Sequence, residues 1–450
     1  MTSPDVIVIG AGFAGLSAAA RLAESGTRVL VVEARAQAGG RATAFVDRVT
    51  GELVDNGQHV LFGCYRHTLR FLDRIGASGN VSRQQTLAVP YIDEHGRRSE
   101  LRCPSLPSPL HLLAGVLQWS AMPWGDRLSA LRLAVPLRRA RAELRREGHV
   151  SVSPPHATVS DWLRSHGQGS KLRQWLWEPL AVAALNQPPG TAAAAPFVRV
   201  LAEMFGPDPS AAAIVLPTKP LHLMYAEPAT RYIQQRGGAV RTNALARIAI
   251  ERNAVVGIDI RGERVSVGRV ICAVPWFGLG AMFPDRVPTA LVDTVQAADA
   301  TGAMPIVTVN LWYDRRVMDE PFVGLPGRAM QWVFDKRLAF GRDASHLSLV
   351  ASGAKELVGL TQDELVSRAA AEVASAIAGT RSARLIRGTV IREKRATFAL
   401  APGQPARPGV VTGLRGLYLA GDWIDTGLPG TIESAVMSGH LAAETVLNDL

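Results

Sequence analysis

The chain has 450 residues, 47% of them hydrophobic and 20% charged. That composition supports a large core and two or three domains and excludes wholesale disorder. Its formal charge of +10, with a pI near 10.0, admits nucleic acid, an anionic membrane or plain solubility as explanations. Three cysteines, Cys64, Cys103 and Cys272, stand in no C-x-x-C pair, which excludes a disulfide framework and a zinc ribbon and points to a reducing, cytoplasmic setting.

The first thirty-odd residues read strand, turn, helix, strand. In DVIVIGAGFAGLSAAARLAESGTRVLVVEA, Val6 to Ile9 is a short β-branched run suited to a buried parallel strand. It starts within five residues of Met1, so no signal peptide is expected. Gly10, Gly12 and Gly15 form G-x-G-x-x-G, with Phe13 and Ala14 inside the turn. The first glycine allows the tight turn, the second lets a pyrophosphate approach the backbone, and the third lets helix and strand pack closely. A helix from about Ala14 to Ser25 then aims its positive end at the phosphates. Arg28 to Val32 is the second strand, and Glu33, followed by Ala34, ends it eighteen residues beyond Gly15. A carboxylate there accepts hydrogen bonds from a ribose diol and repels a 2′-phosphate. The pattern predicts a dinucleotide site.

Next comes ARAQAGGRA, in which Gly39, Gly40 and Arg41 follow the ribose acid directly. This run resembles the signature of the amine oxidase and phytoene desaturase superfamily of FAD enzymes. The resemblance implies FAD rather than NAD, with Gly40 and Arg41 returning to the pyrophosphate. It extends to VDNGQHVLFGCYRHT, residues 54 to 68. There the family passes a segment beside the flavin ring, and Gly57 would permit close backbone approach. Asp55, His59, Cys64 and His67 lack metal-ligand spacing, so no metal is expected. Cys64 reads as a small packing residue, and Gln58 and His59 as groups able to hold a hydrogen bond or a proton where flavin meets pocket.

From Leu110 to Trp124 the run within PLHLLAGVLQWSAMPW is uncharged apart from His111. It is too short to span a bilayer, which takes roughly 20 residues. Between Leu101 and Val150, eight arginines stand against three acids. Residues 109–146 are therefore expected to dock on a membrane surface, with tryptophans at headgroup depth. The bland alternative is a buried helix followed by a solvated basic one. No recognition helix or aromatic-studded sheet motif supports nucleic-acid binding.

The segment GAVRTNALARIAIERNAVVGIDIRGERVSVGRVICAVPW alternates like a β-meander and ends in a buried strand. In the family it returns to the FAD domain, and Leu245 matches the position that contacts adenine. REKRATF, Arg392 to Phe398, reads as a strand returning toward the flavin. The closing stretch has a strand (Leu417 to Ala420), then Gly421-Asp422, then a glycine-rich turn and a helix beginning near Thr431 and Ile432. By resemblance Asp422 meets the ribitol chain, and the helix start meets the pyrimidine edge of the flavin, where the reduced ring carries negative charge.

Taken together, DNGQH…GCYR, REKRATF and GDWIDTGLP resemble the squalene-associated FAD enzymes, the hydroxysqualene dehydroxylases of bacterial hopanoid synthesis. The implied fold is α/β: a discontinuous Rossmann-type FAD domain (1–80, 225–290 and 400–450) with an inserted mixed α+β substrate domain (81–224 and 291–399). The implied reaction replaces the hydroxyl of hydroxysqualene by hydrogen to give squalene. Candidate proton donors are His59, Gln58, Asp425 and Lys394. The apolar tunnel is expected from residues 110–124, Trp175, Trp177, Phe197, Met204 and Phe205. Such a lipid substrate implies a peripheral location on the inner face of the cytoplasmic membrane. No second nucleotide fingerprint is visible, which leaves the electron donor open between a nicotinamide nucleotide and a separate carrier. The rivals are a carotenoid-type desaturase or an amine oxidase of the same fold, and a non-catalytic prenyl-binding protein.

Overall fold

The computed structural model describes residues 3–48, 51–341 and 343–450. Its centre is a five-stranded parallel sheet in the order Ala239–Arg241, Val29–Val32, Val6–Ile9, Val270–Cys272, Leu417–Leu419. The runs VIVI, VLVV, VIC and LYL are apolar on both faces and almost wholly buried, as a sheet covered on two sides requires. In register, Ile9 lies between Val32 and Cys272, and Cys272 pairs with Leu419. The two ends of the chain and its middle thus meet in one sheet.

The helix after the glycine turn spans Phe13–Glu24, one residue earlier than its expected start. It packs against the closing helix, Ile432–Asn448, capped by Thr431. The two approach backbone to backbone. A Cβ on Gly439 would stand 2.2 Å from the Ala14 carbonyl oxygen and 2.3 Å from Ser17 Oγ, so any side chain there forces the helices apart. The meander is realised as Ala246–Glu251, Ala254–Ile260 and Glu263–Ser266, antiparallel throughout.

A seven-stranded sheet lies beside this unit, in the order Leu385–Phe398, Ala303–Tyr313, His346–Ser352, Trp332–Asp335, Phe322–Gly324, Ala88–Ile92, Arg98–Arg102. The strand Ala303–Tyr313 alternates: Val307, Val309 and Leu311 join a core cluster with the helix Gln362–Ala376, while Ile306 and Thr308 turn the other way to face a cavity. Helices between residues 110 and 204 close the opposite side of that cavity.

The apolar run 110–124 is not one element. The helix Leu110–Gln118 stops at Trp119, and Pro123 opens a second one, Trp124–Ser129. Trp119 is fully buried, packed on Tyr91 and Trp175, so it occupies the core and not the headgroup position expected of it. Trp124 is exposed. Among the described residues no helix is long and apolar enough to cross a membrane.

Candidate active site

A cavity of about 980 Å³ runs from the glycine turn to the helices at residues 110–141. Its two halves differ in chemistry. The first is lined by backbone and by charged groups. Gly10 has φ +105°, and a Cβ on it would lie 2.8 Å from the Ala273 carbonyl oxygen, so the turn requires glycine. Gly15 lies behind the cavity wall, its missing side chain replaced by the Gly10 carbonyl. At Gly12 and Gly40 two backbones converge: a Cβ on Gly40 would be 3.1 Å from the Gly12 Cα. The result is a cradle free of side chains, with a helix N-terminus at its edge, which suits a pyrophosphate.

Glu33 is buried at the rim of that cradle. Its carboxylate accepts from the N–H of Ala11 at 2.8 Å and of Arg35 at 2.9 Å. Ala34 and Leu245 line the same end. The chain before Leu245 is tied to Glu33 through Ala244 N–H, which donates to the Glu33 carbonyl at 2.8 Å. Phe13 stacks on Tyr225 with ring centroids 3.6 Å apart, and the Tyr225 hydroxyl donates to the Gly39 carbonyl at 2.6 Å. Tyr225 thereby holds the second glycine turn, a role that no motif in the sequence announced.

Arg41 is shared between walls. It donates to the Asp422 carboxylate and, at 2.6 Å, to the Ala396 carbonyl, and its guanidinium lies over the Trp276 ring. Asp422 is buried, and its own carbonyl accepts from Ser434 Oγ at 3.0 Å. Gly421 adopts φ +149°, and a Cβ there would strike the Trp423 ring at 2.7 Å. Thr431 caps the closing helix by accepting from Ser434 N–H at 3.2 Å, and both Thr431 and Ile432 line the cavity.

Where the halves meet lies the turn Asn56-Gly57-Gln58-His59. Gly57 has φ +90°, and its N–H donates to the Asp55 carbonyl at 2.7 Å. Asn56 donates to the Arg41 carbonyl at 2.9 Å. Gln58 donates to the His59 carbonyl at 3.0 Å and accepts from Lys336 Nζ at 2.8 Å. Among the described residues the His59 Nδ1 has no hydrogen-bond partner. Burial pushes the His59 imidazole below its ordinary pKa, against a smaller opposing pull from Asp55, so the ring is neutral at neutral pH.

The structure does not bring all the candidate donors to this point. On the strand Leu385–Phe398, Glu393, Arg395, Ala396 and Thr397 line the cavity, whereas Lys394 is exposed and does not line it. The ladder is irregular here, with Glu393 opposite Ile306 and Thr397 opposite Met304, and the carboxylate that lines the cavity is Glu393. Asp425 is exposed as well and pairs with Arg407 at 3.1 Å, outside the cavity lining. Asp55, His59, Cys64 and His67 do not converge: Asp55 is bound by Lys336, and His67 faces His440. Burial raises the Cys64 thiol to about 12, which makes it a packing group and not a nucleophile.

The second half of the cavity is apolar. Leu112, Leu113 and Val116 come from the helix at 110, Trp177, Met204 and Phe205 from later helices, and Tyr91, Phe322, Trp332 and Phe334 from the seven-stranded sheet. Trp175 and Phe197 do not line it. Trp175 backs Tyr91 from behind, and Phe197 is fully buried in the helical core. Leu131 and Val135 line the cavity and are also exposed, with Arg138 and Arg141 beside them, so the apolar half opens to the surface at this point.

The fold and a cavity with these two halves define a flavin-dependent oxidoreductase. A profile of the flavin containing amine oxidoreductases matches residues 13–447. A hydroxysqualene dehydroxylase from Rhodopseudomonas palustris is 32% identical over 448 residues, 99% of each chain. One from Sinorhizobium fredii is 28% identical over 454 residues, again 99% of each. An oxidoreductase of known structure from Methanosarcina mazei superposes with a TM-score of 0.73 at 17% identity, covering 98% of this chain and 99% of its own. The chain belongs to the flavin containing amine oxidoreductase family, and its cofactor is FAD. The side-chain-free cradle at Gly12 and Gly40 fits that group.

Proposed function

We propose that the protein is an FAD-dependent hydroxysqualene dehydroxylase. The observation that carries this reading is the single cavity that joins the glycine cradle to a large apolar vault, with polar side chains gathered at the junction. The names of the full-length relatives support it. Overall, one hydride and one proton convert the allylic alcohol to squalene and water. Reduced FAD supplies the hydride when bound. The chain's own work is to orient, to exclude water and to manage a proton.

In this reading Gly10, Gly12, Phe13, Ala14 and Gly15 form the turn over the pyrophosphate, joined by Gly40 and Arg41. Glu33 and Ala34 take the ribose, Leu245 the adenine, and Gly421 and Asp422 the ribitol, while Gly57, Thr431 and Ile432 flank the flavin ring. Gln58 and His59 are the polar groups nearest the leaving hydroxyl, with Glu393 on the facing strand. A neutral His59 orients the hydroxyl or a water rather than acting as an imidazolium acid. Asp425 and Lys394 take no part, because their positions are outside the cavity. The FAD domain is assigned to 1–80, 225–290 and 400–450, and the substrate domain to 81–224 and 291–399.

The vault opens where a lipid would enter. On the helical segment that precedes the exposed lining residues Leu131 and Val135, Trp124 is 67% exposed, Leu110 54% and Leu128 52%, and the basic helix Ala134–Glu147 follows. Exposed apolar side chains rimmed by arginines fit an anionic membrane surface. We assign the protein to the inner face of the cytoplasmic membrane. The test is anaerobic incubation of chemically reduced enzyme with hydroxysqualene, scored for squalene by mass. Squalene is the expected product; conversion of phytoene or an amine in its place would refute the reading.

A further inference from the structure

Lys336 lies at the end of the strand Trp332–Asp335 in the seven-stranded sheet. It is 4% exposed, and it does not line the cavity. Its backbone N–H donates to the His346 carbonyl at 2.8 Å, so its base is fixed to the neighbouring strand. Its ammonium reaches across to the turn at the flavin end. There it donates to Asp55 Oδ2 at 2.7 Å and to Gln58 Oε1 at 2.8 Å. The other Asp55 oxygen accepts from Leu221 N–H at 2.9 Å, and the Gln58 amide passes the restraint on to the His59 carbonyl. Between Asp55 and Gln58 stands Gly57 at φ +90°, the position with the most conformational freedom to lose.

We propose that Lys336 is a positioning residue that clamps the Gly57–His59 turn to the substrate sheet through a buried ion pair with Asp55 and a hydrogen bond to Gln58. An ion pair serving stability alone could be replaced by apolar groups at no loss. The second bond, to a side chain of the cavity wall, could not. Because the anchor is on the sheet that faces the vault, the clamp fixes the polar junction relative to the substrate's walls. A misplacement of about 1 Å at such a junction costs roughly 100-fold in rate.

The experiment compares three holoenzymes: wild type, Lys336→Met, and the double variant Asp55→Asn/Lys336→Met. The first substitution strands a buried carboxylate, so its melting temperature falls. The double variant removes that charge and recovers the melting temperature, yet still leaves Gln58 unclamped. The clamp therefore predicts that the double variant retains FAD, shows altered visible circular dichroism of the bound flavin, and loses about 100-fold in the rate at which hydroxysqualene oxidises the reduced enzyme. Oxidation by dioxygen, which needs no bound substrate, stays at the wild-type rate. Wild-type dichroism or a wild-type hydroxysqualene rate in the double variant overturns the proposal. The substrate arm rests on the dehydroxylase reading. If wild type itself fails with hydroxysqualene, that reading falls, and the dichroism alone decides the clamp.

Discussion

Arg41 and Asp422 are 381 positions apart in the chain and share a salt bridge in the wall of the cofactor cavity. The pair ties the second glycine turn to the carboxyl-terminal turn, so one ionic contact closes the site at both ends. Asp422→Ala leaves Arg41 without its carboxylate, and Glu33→Ala leaves the Ala11 and Arg35 N–H groups without an acceptor. Each loss of a charge-assisted hydrogen bond is worth about 1.5–3 kcal/mol. FAD affinity, measured by fluorescence titration of apoprotein, is expected to drop roughly 10- to 100-fold in each variant.

Gly57 gives a graded prediction. A Cβ there would meet Thr308 Oγ1 at 3.5 Å, an ordinary contact, so the obstacle is conformational: φ is +90°. A β-branched residue suits that region worst. Gly57→Val is expected to abolish turnover and Gly57→Ala to lower it in part, with FAD still bound in both. Single-turnover rates on FAD-saturated protein check the order.

Acid stability should depend on His440, which the closing helix presents to His67 and Arg74 of the helix Arg66–Arg74. Burial, then the charge of Arg74 and the neighbouring His67, Arg21 and Arg70, hold it at about 3, against an ordinary value near 6.5. The unfolded chain takes up this proton first as pH falls. The folded state is therefore at full advantage above about 6.5 and loses it progressively down to about 3, at roughly 1.4 kcal/mol per unit of depression. His59, also depressed by burial, acts in the same direction. His440→Gln is expected to flatten the fall of melting temperature across that window, read by thermal denaturation at stepped pH.

The vault's mouth predicts membrane behaviour. Leu131→Ser/Val135→Ser removes apolar side chains that are both exposed and cavity-lining, and Arg138→Glu/Arg141→Glu reverses the charge beside them. Both variants should bind vesicles containing anionic lipid more weakly than wild type in a sedimentation assay. Wild-type binding should weaken as salt rises.

The cofactor half was legible in the sequence because its chemistry is backbone chemistry. Gly10, Gly15 and Gly40 are forced by local geometry, whereas Gly12 has room for a Cβ and serves to keep the cradle open to a ligand, and Glu33 follows the first glycine turn at a fixed spacing. The substrate half depends on which face a side chain presents. Lys394 and Glu393 are neighbours on one strand at an irregularity of its pairing, and no sequence pattern tells which of them lines the cavity. Trp175 and Phe197 were apolar enough for a tunnel wall, but packing placed them behind it. Lys336 was invisible for another reason: it belongs to no motif and reaches its partners Asp55 and Gln58 across roughly 280 positions.

Reduced FAD bound at the glycine cradle would supply a hydride to a carbon held in the apolar vault. Enzyme reduced in deuterium oxide and mixed anaerobically with hydroxysqualene in the same solvent tests this. The expected product is squalene carrying one deuterium, formed in step with one equivalent of oxidised flavin. Reduced flavin that persists in the presence of the alcohol, or squalene formed without the label, would contradict it.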